Sequence, residues 1–255
     1  MIFTIDVGNT NIVIAVYDND KIMFSSRIST QHTQMEDEYA VIFKGILELN
    51  NCSPDNFEGA IISTVVPQLK PVLKAAVEKL LKCRVMIVSL ELNTGLTMLM
   101  DNPSATGADL LCGAVAVKNK YPSPSIIFDL GTATTIAAID REGNYIGGSI
   151  IPGVNVSLNT LARSTAQLSH INLNEPCTKV IGKNTISAMR SGSIIGTACM
   201  MDGMIDRYKE IIGKDAAVIA TGGLSGIIVP HCRHEIIYDK DLLSDGLYCL
   251  YKMNA

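Results

Sequence analysis

The chain has 255 residues, 47% hydrophobic and 18% charged, with a formal net charge of −4. A mildly acidic balance with no Lys/Arg block leaves no electrostatic footprint for a nucleic-acid partner, and no apolar run approaches the roughly 18 residues of a membrane-spanning helix. Seven scattered cysteines without a CxxC pair argue against a disulfide framework or a zinc knuckle and fit reduced thiols in a cytoplasmic protein.

In chain order, "IFTIDVGNTNIVIAVYD" reads as strand, tight turn, strand, and Asp18-Asn19-Asp20 turns the chain into a further strand, "KIMFSSRIST". The first strand carries no basic segment and Asp6 interrupts it, so it does not read as a signal peptide. From Met35 to Asn50 apolar residues recur at Tyr39, Ile42, Phe43, Ile46 and Leu49, the spacing of a helix. "GAIISTVV" predicts a buried strand stopped by Pro67, Pro71 to Lys82 a second helix, and "VMIVSL" another strand.

"TGLTMLMDNPSATGAD" is a loop-rich joint, followed by a predicted helix over 107–121 and the strand "SIIFDLG". "TTIAAIDREGNYIGGSII" predicts a hairpin on the REGN turn, residues 155–168 and 185–212 carry helical patterns, "AAVIATGG" is a strand ending in a glycine pair, and "DLLSDGLYCLYKM" a short last helix. "HCRH", with His231, Cys232 and His234, is the most metal-like cluster; a plain surface turn after Pro230 competes with a metal site, because no distant ligand pair has matching spacing.

Strands alternating with helices predict an α/β fold. A repeat sharpens this: "IDVGNTNIVIAVYDND" aligns with "FDLGTATTIAAIDREG", matching Asp6 to Asp129 and Gly8 to Gly131, 123 residues apart and close to half the chain. The expectation is two similar lobes, 1–118 and 119–255, flanking a nucleotide cleft.

The chemistry of the repeated turn supports this. Asp6 and Asp129 are hard oxygen ligands suited to Mg²⁺ or its waters. A glycine lets the backbone turn tightly enough for its N–H groups to approach phosphate, and Asn9, Thr10, Asn11, Thr132, Thr134 and Thr135 add polar contacts. Phosphoryl transfer asks for positioning and charge neutralisation of this kind. The chain has neither GxxxxGK[ST] nor GxGxxG. A third glycine turn, Thr221-Gly222-Gly223, is small enough to admit a flat adenosine group.

These motifs, in order and over essentially the whole chain, resemble the type III pantothenate kinases of the actin, sugar kinase and heat-shock chaperone superfamily. "DVGNTN" and "DLGTATT" are similar to that family's phosphate motifs, "GAD" at 107–109 to its pantothenate motif, "GGSIIPG" at 147–153 to its dimer-interface motif, and "TGG" at 221–223 to its adenosine motif. "STVVP", "IGKNT" and "SDGLY" also fall where the family has similar segments.

The resemblance implies duplicated ribonuclease H-like lobes and an ATP-dependent kinase that phosphorylates the primary hydroxyl of pantothenate, the first step towards coenzyme A. It implies a homodimer needing Mg²⁺ and a monovalent cation, K⁺ or NH₄⁺. Carried over, Asp109 is the base, although an N-terminal helix cap is the plainer reading of that residue. Asp6 holds Mg²⁺ through ATP, Gly8, Asn9, Thr10 and Asn11 contact phosphate, and Asp129 serves the monovalent cation. Gly131, Thr132, Ala133 and Thr134 form the second phosphate wall, and Thr221, Gly222 and Gly223 hold adenosine. Met100, Gly107, Ala108 and Leu110 border pantothenate, with Thr185 from the partner subunit. Two positions depart from the family pattern, which has Arg where Leu110 stands and Tyr where Met100 stands. Both departures bear on the acid substrate and leave the nucleotide turns intact, since Leu lacks the charge and five donors of Arg; the alternatives they leave open are a kinase for a different small hydroxyl acceptor and a weakly active or non-enzymatic nucleotide-binding regulator of the same fold.

Overall fold

In the computed structural model, which describes residues 1–255, the chain forms two units, 1–95 with 102–119 and 242–255, and 96–101 with 120–241. The first carries β1 (Ile2–Val7), β2 (Asn11–Asp18), β3 (Lys21–Ser29), α1 (Glu36–Leu49), β4 (Gly59–Thr64), α2 (Leu69–Leu81), β5 (Arg84–Ile87) and α3 (Ala108–Lys120). Its five strands lie in the order β3-β2-β1-β4-β5. The hairpin pairs β1-β2 and β2-β3 are antiparallel, while β1-β4 and β4-β5 are parallel.

Strand alternation decides which face is which. Phe3, Ile5 and Val7 of β1 join Ile12, Ile14 and Val16 of β2 in one core with Tyr39, Phe43 and Leu47, one helix face of α1, and with Leu69, Leu73 and Val77 of α2. Phe3 meets Phe43 and Phe57 edge-on at 5.8 and 5.7 Å. The even positions of β1, including Thr4 and Asp6, therefore point to the opposite face.

The second unit repeats this plan with β6 (Ser125–Leu130), β7 (Ala133–Ile139), β8 (Tyr145–Pro152), α4 (Val154–Ser164), α5 (Thr185–Ile212), β9 (Ala217–Thr221), α6 (Ser225–Ile228) and β10 (Ile237–Tyr238). Its order, β10-β9-β6-β7-β8, is that of the first sheet, with the same antiparallel hairpins and parallel crossovers. Ile126, Phe128 and Leu130 pack with Ile194, Ala198, Met201 and Ile205, a single stripe of the 28-residue α5.

The expected α/β duplication is therefore present, with one refinement. The turn between β1 and β2 holds Gly8, Asn9 and Thr10, whereas that between β6 and β7 holds only Gly131 and Thr132. Beyond the turn the copies run 122 rather than 123 residues apart, and the register shift at Val16/Tyr17 matches one at Ala138/Ile139.

The last helix, α7 (Leu242–Asn254), differs from the expected division at 118/119, because it belongs to the first unit. Leu242, Leu247 and Leu250 are fully buried. Tyr17 donates to Asp245 Oδ1 at 2.6 Å and its ring stacks on Tyr248 at 4.4 Å. Gly246 lies so close to the backbone of Cys112 that any side chain there would displace α3. No helix of the protein is long and apolar enough to cross a membrane.

Candidate active site

Asp6 ends the outward face of β1, and the turn after it is pinned from within. Gly8 N–H donates to Asn11 O at 2.9 Å, Thr30 Oγ1 donates to Gly8 O at 2.7 Å, and Thr30 N–H donates to Thr10 O at 2.9 Å. Asn9, Thr10 and Asn11 remain exposed on the fixed turn. Thr30, at the end of β3, was not singled out from the sequence; only the strand register brings it to Gly8.

Three further groups lie by Asp6 in the first unit. Ser63 stands in register with it on β4. Cys112 on α3 is fully buried, and Asp109, one turn earlier on the same helix face, acts on Asp6 through its charge. Burial pushes the Asp6 carboxyl up to about 6; the Ser63 hydroxyl opposes the rise and the Asp109 charge adds to it. Burial, reinforced by the Asp6 charge, also holds the Cys112 thiol well above its ordinary value. Ser63 Oγ is close enough to act on both groups, yet completes a hydrogen bond with neither.

Asp109 sits in the first turn of α3, and its Oδ1 accepts the Leu110 N–H at 2.8 Å. One side chain thus accepts a free first-turn N–H and also sets a carboxylate beside Asp6. A Cβ on Gly107 would strike Asp109 Oδ1, so glycine keeps the space that the carboxylate occupies. Ala108 opens the helix, and Ala108 and Leu110 are half-buried beside Asp109.

In the second unit Asp129 occupies the position of Asp6. It stands in register with Thr135 on β7 and Thr221 on β9. Gly131 N–H donates to Ala133 O at 3.1 Å, and Gly131, Thr132 and Ala133 are exposed. Thr134 departs from the sequence reading: it is 1% exposed and turns away from Asp129, into a cavity of about 390 Å³ lined also by Ile151, Val154, Leu158, Gly196 and Met200. The hydroxyl that shares a face with Asp129 is that of Thr135, because cross-strand partners share a side of the sheet.

The third glycine turn comes to the same carboxylate. Gly222 has φ +93°, and a Cβ there would stand 2.5 Å from Asp129 Oδ1. Thr221 is buried, its carbonyl accepts the Ser225 hydroxyl, and Gly223 is exposed. In "GGSIIPG", Gly148 packs on the Ile136 main chain, and Gly153 packs on Gly131 and Thr132 and donates its N–H to Thr132 O at 3.1 Å. Gly153 therefore supports the second turn from inside the subunit, and Gly148 lets β8 lie close against the middle of β7. Thr185 is exposed at the start of α5, where Asn184 caps the helix by accepting the Ser187 N–H at 2.8 Å. Met100 is half-buried in the second unit.

"HCRH" is a loop tied to α5. The N–H groups of Arg233 and His234 donate to Asp202 at 2.9 and 3.2 Å, and His234 Nε2 pairs with Asp206 at 2.8 Å.

No three His, Cys, Asp or Glu side chains converge as a metal cage. What the first unit offers is the Asp6 carboxylate with an unpartnered hydroxyl and the Asp109 carboxylate beside it, and an exposed polar turn. That donor set fits a Mg²⁺ ion that arrives on phosphates, since Mg²⁺ usually takes one or two carboxylates and keeps its other positions for phosphate and water. The carboxylate and hydroxyls around Asp129 are likewise hard oxygen donors.

Comparison with known proteins identifies the family. The family model for type III pantothenate kinase matches residues 2–207. A type III pantothenate kinase of Exiguobacterium sp. is 42% identical over 254 residues, covering 100% of this chain and 99% of the relative. One from Bacillus cytotoxicus is 39% identical over 255 residues, covering 100% and 97%. Among solved structures, the ethanolamine utilization protein EutJ of Carboxydothermus hydrogenoformans superposes with a TM-score of 0.54 at 13% identity, over 99% of this chain and 89% of that one, a likeness of fold.

Proposed function

The chain belongs to the type III pantothenate kinase family, kinases that phosphorylate pantothenate on the way to coenzyme A, and we propose the following division of that work among its residues. The observation that carries the proposal is the pair of matched carboxylate-glycine turns, one per duplicated sheet, with Asp109 beside the first.

Asp109 takes the proton of the pantothenate primary hydroxyl. A loose phosphoryl-transfer transition state demands proton removal late, so the placement of the carboxylate matters more than its basicity. Gly107 keeps that placement free of a side chain. Asp6 holds the Mg²⁺ that ATP brings, and this ion, when bound, neutralises charge on the transferred group. Gly8, Asn9, Thr10 and Asn11 contact phosphate from the pinned first turn. Gly131, Thr132 and Ala133 do so from the second, with Thr135 rather than Thr134 as the hydroxyl beside Asp129. Asp129 serves a monovalent cation, K⁺ or NH₄⁺, and Thr221 to Gly223 hold adenosine. Gly107, Ala108, Leu110 and Met100 border pantothenate.

A cytoplasmic homodimer completes the reading, with Thr185 of the partner subunit at the pantothenate. Three features support a second copy. β8 is a sheet edge with Ile150 at 74% exposure, Gly147 lies open beside it, and Gly192 and Gly196 on α5 face open space.

The test is ADP release by purified protein with ATP and Mg²⁺, with and without pantothenate and K⁺. Release that requires both is expected. Tight nucleotide binding without pantothenate-dependent release would overturn the acceptor assignment. Leu110→Arg, which restores the family's charge, is expected to lower the KM for pantothenate.

A further inference from the structure

Two serine hydroxyls, Ser63 and Ser125, are fully buried and have no hydrogen-bond partner. A buried donor left unpaired costs stability that an alanine would recover, so each needs a reason to persist. Ser125 begins β6, four residues before Asp129. Ser63 is placed differently. It stands in register with Asp6 across the parallel β1-β4 pair, on the same face of the sheet, with the Cys112 thiol as its other neighbour.

A thiol is a weak acceptor, so Cys112 does not satisfy this hydroxyl. The carboxylate is the strong acceptor within reach. The pairing also recurs: in the second unit Thr221 stands in register with Asp129, so each acidic turn faces a hydroxyl residue on the neighbouring parallel strand.

We propose that Ser63 is a positioning residue for the kinase reaction: its hydroxyl orients the Asp6 carboxylate towards the metal that arrives with ATP, and completes its hydrogen bond only in the loaded enzyme. A hydroxyl kept for folding would already be bonded, and one kept for packing alone would be served as well by alanine. The inference rests on the reading of Asp6 as the metal-holding carboxylate.

The experiment uses full-length Ser63→Ala, with Ser125→Ala as control and Asp6→Asn as reference. Mn²⁺ with ADP is titrated into each and free Mn²⁺ is read by electron paramagnetic resonance, beside thermal unfolding of the ligand-free proteins and a kcat-against-KM comparison. Ser63→Ala is expected to melt at or above the wild-type temperature. It should bind Mn²⁺ with ADP about tenfold more weakly, the scale for removing a partner of a ligating group, and lose kcat with the KM for pantothenate unchanged. Ser125→Ala is expected to keep wild-type Mn²⁺ affinity.

Unchanged Mn²⁺ affinity in Ser63→Ala, a lowered melting temperature in that variant, or an equal loss in Ser125→Ala would each overturn the proposal. If Asp6→Asn itself binds Mn²⁺ with ADP as the wild type does, it is the reading of Asp6 that fails; if Asp6→Asn loses binding and Ser63→Ala does not, only the role of Ser63 fails.

Discussion

The Asp129 carboxylate lies against the backbone of Gly222, where φ is +93° and an added Cβ would stand 2.5 Å from Oδ1 and 2.6 Å from Leu130 N. The glycine turn that ends β9 and the acidic turn that ends β6 are thus one packed unit. Gly222→Ala combines an unfavourable positive φ with a clash against backbone, and is expected to cost about 1–3 kcal/mol. Gly203→Ala, in open space on α5, is expected to be neutral or slightly stabilising. Thermal unfolding of the two variants checks this, and nucleotide titration should find weakened ATP binding only in Gly222→Ala.

Asp109→Asn should separate chemistry from structure. The amide oxygen can still accept the Leu110 N–H, so the fold and nucleotide affinity are expected to hold while turnover falls at least ~100-fold, the scale for a positioned base. Single-turnover kinetics beside ADP binding read both quantities. Turnover within a few-fold of wild type would remove Asp109 from the mechanism.

The pH dependence of stability follows from Asp6. Its carboxyl is raised from 3.8 to about 6, chiefly by burial. Below about pH 4 it is protonated in both folded and unfolded chains. Between about 4 and 6 the unfolded chain gives up its proton first, so this group's contribution to stability falls as pH rises and is fully lost above 6. The loss is on the order of 2 kcal/mol, less than a shift of this size would give in full burial, because the Asp6 side chain is only half-buried. Asp6→Asn is therefore expected to be more stable than wild type at pH 8, to lose that advantage towards pH 4, and to be inactive. Urea unfolding at the two pH values is the check, and a variant less stable at pH 8 would contradict it.

Ile150 tests the assembly. Replacing it by Asp places a charge on the exposed edge of β8 without touching either core. The variant is expected to sediment as a monomer with its fold intact and with reduced activity, because Thr185 of the partner subunit would be withdrawn. A dimer that survives unchanged would move the interface elsewhere.

Much of the fold was legible because its periodicities are local. The repeat of strand, acidic turn and strand gave the duplication, and α1, α3 and α5 fall close to their apolar spacings. Asp6 and Asp129 could be named because a carboxylate that ends a strand just before a glycine leaves a pattern readable along the chain, whereas Asp109 was named only through the family resemblance. Their family roles rested on motif order, since a single acidic turn is more often a plain hairpin.

What the sequence could not decide depended on register and on long-range packing. Thr134 and Thr135 are equivalent as letters, but a two-residue turn between β6 and β7 puts Thr135 beside Asp129 and buries Thr134. Ser63 and Thr30 reach the first turn only through strands distant in sequence. The helix α7 closes the first unit rather than the second because Gly246 lets it approach Cys112 and its apolar face finds β1 and β4. The sequence by itself determined which elements form and which chemistry they carry, because both follow from neighbours along the chain. Only the tertiary structure decided which hydroxyl faces which carboxylate, because that is set by cross-strand pairing and by which face of each sheet is buried.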